Sequence, residues 1–144
     1  AVGRLHPDMI IHLGDCWADA EQLHRKFPMT VMEQVPGNCD CRQEVQERIL
    51  LIEGKKILIC HGHTFNVKAG YLNLEYAAEE RKVDAALFGH THRVFYDKHN
   101  RIAYMNPGSI GQPPYGIPPS YGVLQVDGSS NTIATDVIYL EENN

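Results

Sequence analysis

Five apolar segments of this sequence are each followed by a polar side chain of a type that binds metal ions or phosphate. Four of these five side chains lie directly beside a glycine. In α/β sheets, ligands bind at the carboxyl ends of the strands. If the five segments are neighbouring strands, the side chains therefore converge in one crevice. They are Asp15, Asn38, His61, His90 and Asn106.

The hydrophobic pattern predicts one α/β layered domain over residues 1–144. Strands and helices alternate in the first half, and hairpins dominate the second half, which favours a sheet that ends in antiparallel strands. A Pro/Gly-rich segment, 111–120, predicts a surface loop. The predicted strands are 9–13, 30–35, 45–53, 56–60, 85–88, 94–96, 102–105, 121–126 and 132–140, and the predicted helices are 19–26 and 72–82.

Composition excludes several classes of function. The net charge is −5 and no basic tract is present, which argues against a broad electrostatic nucleic-acid surface. No apolar run approaches the roughly 18 residues of a membrane helix, and the first residues do not have the pattern of a secretory signal. We therefore expect a cytoplasmic protein with no membrane partner and with free thiols. The thiols are Cys16, Cys39, Cys41 and Cys60.

The chemistry of the convergent set indicates a mixed oxygen and nitrogen metal site. A carboxylate, an amide oxygen and several imidazoles suit Mn, Fe, Zn, Co or Ni better than Mg or Ca. A carboxylate can also bridge two ions that clamp a phosphate and lower the pKa of water. Taken alone, each motif has an ordinary explanation, since histidine pairs occur on surfaces and Gly-Asp occurs in turns. Their occurrence together and in this order favours the site.

Five motifs resemble those of the calcineurin-like metallophosphoesterases. They are IIHLGD (10–15), PGNCD (36–40), CHGH (60–63), FGHTH (88–92) and NPGS (106–109). The resemblance is closest to the small bacterial and archaeal phosphodiesterase branch, in which GNCD stands where larger relatives carry GNHE. It implies a layered α-β-β-α sandwich with mixed sheets. It also implies hydrolysis of a small-molecule phosphodiester by a metal-activated water at a dinuclear site.

The resemblance implies a metal-binding role for each matched residue. Asp15 matches the carboxylate that bridges both ions. Asn38, His61 and His90 match the other ligands of the second ion, and Asn38 also matches the residue that touches phosphate. His92 matches a ligand of the first ion. The family implies two divalent transition metals per site; we expect Mn first, with Ni, Fe, Co or Zn as alternatives.

Several nearby residues have less certain roles. Cys39 occupies the position of the family's general acid, but a thiol with a pKa near 8.5 is a poor proton donor at neutral pH. Leaving-group help from metal or water is the alternative. His63 contacts phosphate or shapes its loop, and His12 is expected in the core. Asp40 is expected to orient a neighbour, and Trp17 to line the crevice or the core.

The family begins with a strand that carries D-x-H and is followed by a helix, and no D-x-H precedes Asp15 here. We therefore expect a chain truncated at its N-terminus relative to the family. The first ion would then keep only Asp15 and His92, so we expect one well-held ion, one weak or absent ion, and low or no turnover. An open sheet edge favours a homo-oligomer. The alternatives are a non-catalytic scaffold, like the small subunit of the retromer coat, and an inactive remnant that binds one metal.

Overall fold

The computed structural model describes residues 1–141, in which nine strands form three sheets. The largest sheet has five strands in the order β3-β4-β5-β7-β6, with β4, β5 and β7 parallel to one another and antiparallel hairpins at both edges. β1 and β2 form a parallel pair, and β8 and β9 an antiparallel pair. The strands are β1 (Met9–His12), β2 (Val31–Gln34), β3 (Glu47–Ile52), β4 (Lys55–Cys60), β5 (Ala85–Leu87), β6 (Val94–His99), β7 (Ile102–Pro107), β8 (Ser120–Asp127) and β9 (Thr132–Tyr139).

The helices lie on the outside of these sheets. Leu74, Ala77 and Ala78 of the last long helix are buried, as their spacing predicts. The second helix ends just before Phe27 and Pro28, because proline cannot continue a helix. None of the helices in residues 1–141 is long and apolar enough to span a bilayer. They are α1 (Val2–Leu5), α2 (Trp17–Lys26), a 3-10 turn (His63–Phe65) and α3 (Leu72–Glu80).

Apolar side chains of the central strands contribute to two separate cores, because successive side chains of a strand point to opposite faces of the sheet. Leu58 and Cys60 pack in the core that contains Leu74 of α3. Ile57 and Ile59 pack in the other core, against apolar residues of β1, β8 and β9. This mixed, layered α/β architecture agrees with the predicted fold class.

Most predicted elements are present, and two differences stand out. β6 runs to His99, whereas the sequence predicts an end at Tyr96. The outer residues of β6 are polar and give no hydrophobic signal, but the strand pairs with β7 along its whole length. The four-residue helix α1 was not predicted, since it buries none of its residues.

The carboxyl ends of the strands meet at one rim. His61 follows β4 and Gly89 follows β5, and the Gly89 N–H donates to the His61 carbonyl oxygen at 2.8 Å. Where β1 and β2 end, the Val35 N–H donates to the His12 carbonyl oxygen at 3.1 Å. The loops after β1, β2, β4 and β5 therefore bring their polar residues to the same edge.

Candidate metal centre

His61 lies at the centre of the polar cluster at this rim. Its side chain is only 2% exposed. The ring atom Nδ1 lies 2.7 Å from the Leu13 carbonyl oxygen. The other nitrogen, Nε2, lies 3.1 Å from Asn38 Oδ1, 3.1 Å from His90 Nδ1 and 3.4 Å from Asp15 Oδ2. Three of the other four sequence-predicted metal ligands thus lie within 3.4 Å of His61 Nε2.

The hydrogen bond to Leu13 fixes the tautomer of His61. A carbonyl oxygen can only accept, so Nδ1 carries the proton and a neutral ring presents a lone pair at Nε2. Burial lowers the pKa of His61, and it lowers the pKa of His90 to about 4, with a further contribution from the neighbouring His61. Both rings are therefore neutral at pH 7 and available as nitrogen donors.

The donor set fits a divalent cation. A proton on His90 Nδ1 satisfies one contact of His61 Nε2, but Asn38 Oδ1 and Asp15 Oδ2 are acceptors that face the same lone pair. Donors bound about 2.1 Å from a common ion lie about 3.0–3.4 Å apart, which matches these separations. No three His, Cys, Asp or Glu side chains within residues 1–141 form a ready-made metal group. The donor set around His61 Nε2 includes an amide oxygen, Asn38 Oδ1.

The backbone holds Asp15 in an unusual conformation. Its φ is +57°, in the left-handed region that few residues other than glycine, asparagine and aspartate adopt. The Cys39 N–H donates to Asp15 Oδ1 at 3.1 Å, which leaves Oδ2 facing the histidines. A Cβ on Gly37 would lie 2.1 Å from Asp15 Oδ1, so only glycine permits this close approach.

His92 lies farther from Asp15 than His61 does. Its Nδ1 donates to the Gln112 carbonyl oxygen at 3.0 Å, and its Nε2 lies 3.9 Å from Asp15 Oδ2. The same carboxylate oxygen is thus close to His61 and His92. This geometry is compatible with the bridging position that the sequence predicts for Asp15.

Asp40 orients its neighbours, as the sequence predicts. Its Oδ2 accepts a hydrogen bond from the Gly37 N–H at 2.7 Å, and its Oδ1 accepts one from the Trp17 N–H at 2.8 Å. Trp17 is the first residue of α2, whose early N–H groups have no partner within the helix. Asp40 therefore ties the start of α2 to the turn that carries Asn38.

Asn106 does not join the convergent donors, contrary to expectation. It is fully buried. Its Nδ2 donates to the Gly89 carbonyl oxygen and to Thr91 Oγ1, both at 2.9 Å, while its Oδ1 accepts from the Gly108 N–H at 3.0 Å. Asn106 instead fixes the loop on either side of His90. The sequence motif cannot distinguish a metal ligand from a loop-supporting residue, because an asparagine side chain suits both roles.

The remaining candidates lie at the margin of the cluster. The Cys39 thiol is exposed, and the negative charge of Asp15 raises its pKa. The His63 ring centroid lies 5.3 Å from that of His61, and His63 Nδ1 is buried with no hydrogen-bond partner in the described part of the chain. His12 is half-buried; its Nδ1 accepts from the Gly14 N–H at 3.3 Å, and burial lowers its pKa.

An open cleft of about 420 Å³ lies beside the cluster. Asp15 and Cys39 line it next to the donors, and Trp17, Asp40, Arg42 and Gln112 are among its other lining residues. Trp17 therefore lines the crevice, which is one of its two sequence-based interpretations. Arg42 belongs to no motif and was not predicted.

Comparison with known proteins gives the family. The model of the calcineurin-like phosphoesterase superfamily domain matches residues 2–129. A probable metallophosphoesterase of Bacillus subtilis, YsnB, is 35% identical over 128 residues, covering 88% of this chain and 73% of YsnB. The Escherichia coli phosphodiesterase YfcE is 30% identical over 114 residues, covering 79% of this chain but only 50% of YfcE.

Solved structures show the same fold. A predicted phosphoesterase from Streptococcus pneumoniae matches with a TM-score of 0.75 at 22% identity, covering 91% of this chain and 88% of that one. A Vps29 variant from Entamoeba histolytica matches with a TM-score of 0.73 at 19% identity, covering 97% of this chain and 88% of that one. The fold, the motifs and the family match agree, and the chain belongs to the calcineurin-like phosphoesterase superfamily.

Proposed function

We propose that this protein is a metal-dependent phosphodiesterase that hydrolyses small phosphodiesters at a dinuclear site. The observation that supports this most is the lone pair of His61 Nε2, which faces Asn38 Oδ1 and Asp15 Oδ2. Acceptors that face a lone pair in this way repel it unless a cation or a proton lies between them. The name of YfcE supports a diester substrate for the relatives of this chain.

In this proposal, Asp15, Asn38, His61 and His90 hold one ion, and Asp15 and His92 hold the other. Bound divalent ions neutralise phosphate charge and lower the pKa of water, which supplies a nucleophile. The nitrogen and oxygen donors suit Mn best in our proposal, with Ni, Fe, Co or Zn also compatible. Because four donors serve one ion and two serve the other, we expect this chain to bind the ion with four donors more tightly.

Residues outside the ligand set bind and orient the substrate. We assign a phosphate contact to Asn38 and to His63, whose buried Nδ1 has no hydrogen-bond partner within residues 1–141. Cys39 is a weak proton donor at neutral pH, since the ordinary pKa of a thiol is near 8.5. The chain therefore favours esters whose leaving group needs no proton, such as nitrophenolate.

Hydrolysis of bis-p-nitrophenyl phosphate with added Mn²⁺ tests the proposal. We expect turnover in the native chain and a loss of at least about 100-fold in His61→Ala, because a ligand and its ion are removed together. The matched control is His99→Ala, which removes an exposed histidine at the far end of β6. Activity that survives in His61→Ala contradicts the proposal.

Metal binding is measured separately by equilibrium dialysis with Mn²⁺. We expect one tightly held ion per chain, whereas two tightly held ions contradict the unequal donor sets. Metal binding without hydrolysis of any diester favours the non-catalytic scaffold or an inactive remnant over the phosphodiesterase.

A further inference from the structure

Arg42 is stacked on Trp17 at the edge of the cleft beside the metal centre. The guanidinium carbon of Arg42 lies 4.8 Å from the centroid of the Trp17 ring, within range of a cation–π interaction. The indole is held in turn, because its Nε1–H donates to Glu21 Oε1 at 3.1 Å. The stack therefore has a fixed base within α2.

The hydrogen-bond donors of Arg42 remain available. A cation–π contact leaves the N–H groups of a guanidinium free to donate to other acceptors. The nearest carboxylate oxygen, Glu21 Oε1, is 3.9 Å away and already accepts from Trp17. The Arg42 side chain is also 43% exposed, so a ligand in the cleft can reach it.

Charge gives this position a specific role. Among the residues that the structure describes, Arg42 is the only Lys or Arg side chain that lines the cleft, and the acidic residues lining it are Asp15 and Asp40. The metal centre would neutralise the charge of a phosphate bound there. A second phosphate on the same ligand can pair with a cationic side chain of the cleft wall only at Arg42. The guanidinium fork matches phosphate oxygens in a bidentate geometry.

We infer that Arg42, positioned by Trp17, binds a second phosphate group of the substrate, so that the site prefers phosphodiesters that carry an additional phosphate. This inference rests on the proposed function of the same site and specifies its substrate class. Arg42 acts here as a binding residue and takes no part in bond breaking.

Binding without turnover is the first test, and Trp17 reports it directly because it is the only tryptophan in the chain. Its fluorescence is followed during titration with thymidine 3′,5′-bisphosphate or thymidine 5′-monophosphate in the presence of Mn²⁺. We expect the bisphosphate to bind about 3- to 10-fold more tightly than the monophosphate. The gain is modest because a partly exposed charge-assisted hydrogen bond contributes less than a buried one.

Two variants and a control locate the effect. Arg42→Gln is expected to bind both ligands equally, and Arg42→Lys to keep part of the preference as a point charge without the fork. Arg101→Gln is the control and is expected to keep the full preference. Arg101 lies in the exposed turn that precedes β7, at the opposite end of that strand from the site. Equal binding of the two ligands by the native chain overturns the inference, as does an undiminished preference in Arg42→Gln.

Hydrolysis is the second test and separates this inference from the proposed function. The substrates are the p-nitrophenyl ester of thymidine 5′-phosphate with and without a 3′-phosphate. We expect the 3′-phosphate to lower KM about 3- to 10-fold with little change in kcat, and Arg42→Gln to abolish that difference. Hydrolysis of both esters with equal KM overturns the inference alone. No hydrolysis of either, with the binding preference intact, overturns the proposed function and supports the phosphate contact at Arg42.

Discussion

The backbone carbonyl of Leu13 accepts a hydrogen bond from His61 Nδ1 at 2.7 Å, and this contact joins the end of β1 to the end of β4. It orients the ring and places the lone pair of Nε2 toward Asn38 and Asp15. Outer contacts of this kind fix both the tautomer and the direction of a ligating histidine. The rest of the site is arranged around this one ring.

Replacement of Gly14 by alanine is expected to disturb that ring. A Cβ on Gly14 would lie 2.6 Å from His61 Nδ1 and 2.7 Å from the Gly37 nitrogen, and the φ of Gly14 is +102°. We expect Gly14→Ala to lose about 2–4 kcal/mol of unfolding free energy and at least about 10-fold in Mn²⁺ affinity. Urea unfolding and equilibrium dialysis measure the two effects.

Gly111 provides the matched control. A Cβ at this position meets nothing within 4 Å, and its φ is not positive. We expect Gly111→Ala to leave both quantities unchanged, so equal behaviour of the two variants contradicts this account of Gly14.

Asn106 is expected to stabilise the fold and to act on the metal only through His90. Asn106→Ala removes the three hydrogen bonds of a buried side chain and leaves the Gly108 N–H without its acceptor. We expect a loss of about 2–4 kcal/mol in urea unfolding, with a smaller loss of Mn²⁺ affinity than in His61→Ala. A variant with native stability but no metal binding would instead make Asn106 a direct ligand.

The sequence predicts the donors of the site better than their supports. Apolar runs that end in Asp15, Asn38, His61 and His90 predict convergence, because parallel strands bring their carboxyl ends to one edge. The carbonyl oxygens of Leu13 and Gln112 leave no trace in the sequence, since every residue has one. The sequence places Asn106 among the donors, whereas the structure shows it supporting the loop around His90, because an amide fits both roles.

Arg42 and β6 show a second limit. Arg42 reaches Trp17 across 25 residues of chain, and no local pattern links them. The outer half of β6 is polar and lies at a sheet edge, so its pairing with β7 depends on tertiary contact rather than on hydrophobic period. The strands and helices that bury apolar faces were predicted to within a few residues.

The four cysteines are expected to differ sharply in reactivity. Cys16, Cys39 and Cys41 are exposed, whereas Cys60 is buried and burial raises the pKa of its thiol to about 12. Because the thiolate is the reactive form, Cys60 is inert at pH 8. Titration with a chromogenic disulfide reagent should modify three thiols in the native chain and the fourth only in denaturant. Rapid reaction of four thiols without denaturant contradicts the burial of Cys60.

Tyr104 is expected to make stability fall at alkaline pH. Its hydroxyl is buried without a hydrogen-bond partner in residues 1–141, and burial raises its pKa from 10 to about 12. Between these values the unfolded chain releases the proton and the folded chain keeps it, so unfolding becomes easier as pH rises, while below pH 10 this group has no effect. Tyr104→Phe should remove that decline.

At pH 7 the same variant tests the missing hydrogen bond. Removing a buried hydroxyl that has no partner should leave the unfolding free energy unchanged or raise it by up to about 1 kcal/mol. Tyr115→Phe, at a fully exposed site, is the control and should change neither the stability at pH 7 nor its alkaline decline. A loss of more than about 1 kcal/mol in Tyr104→Phe at pH 7 would mean that the hydroxyl has a partner, such as a buried water, and that its removal leaves that partner unsatisfied.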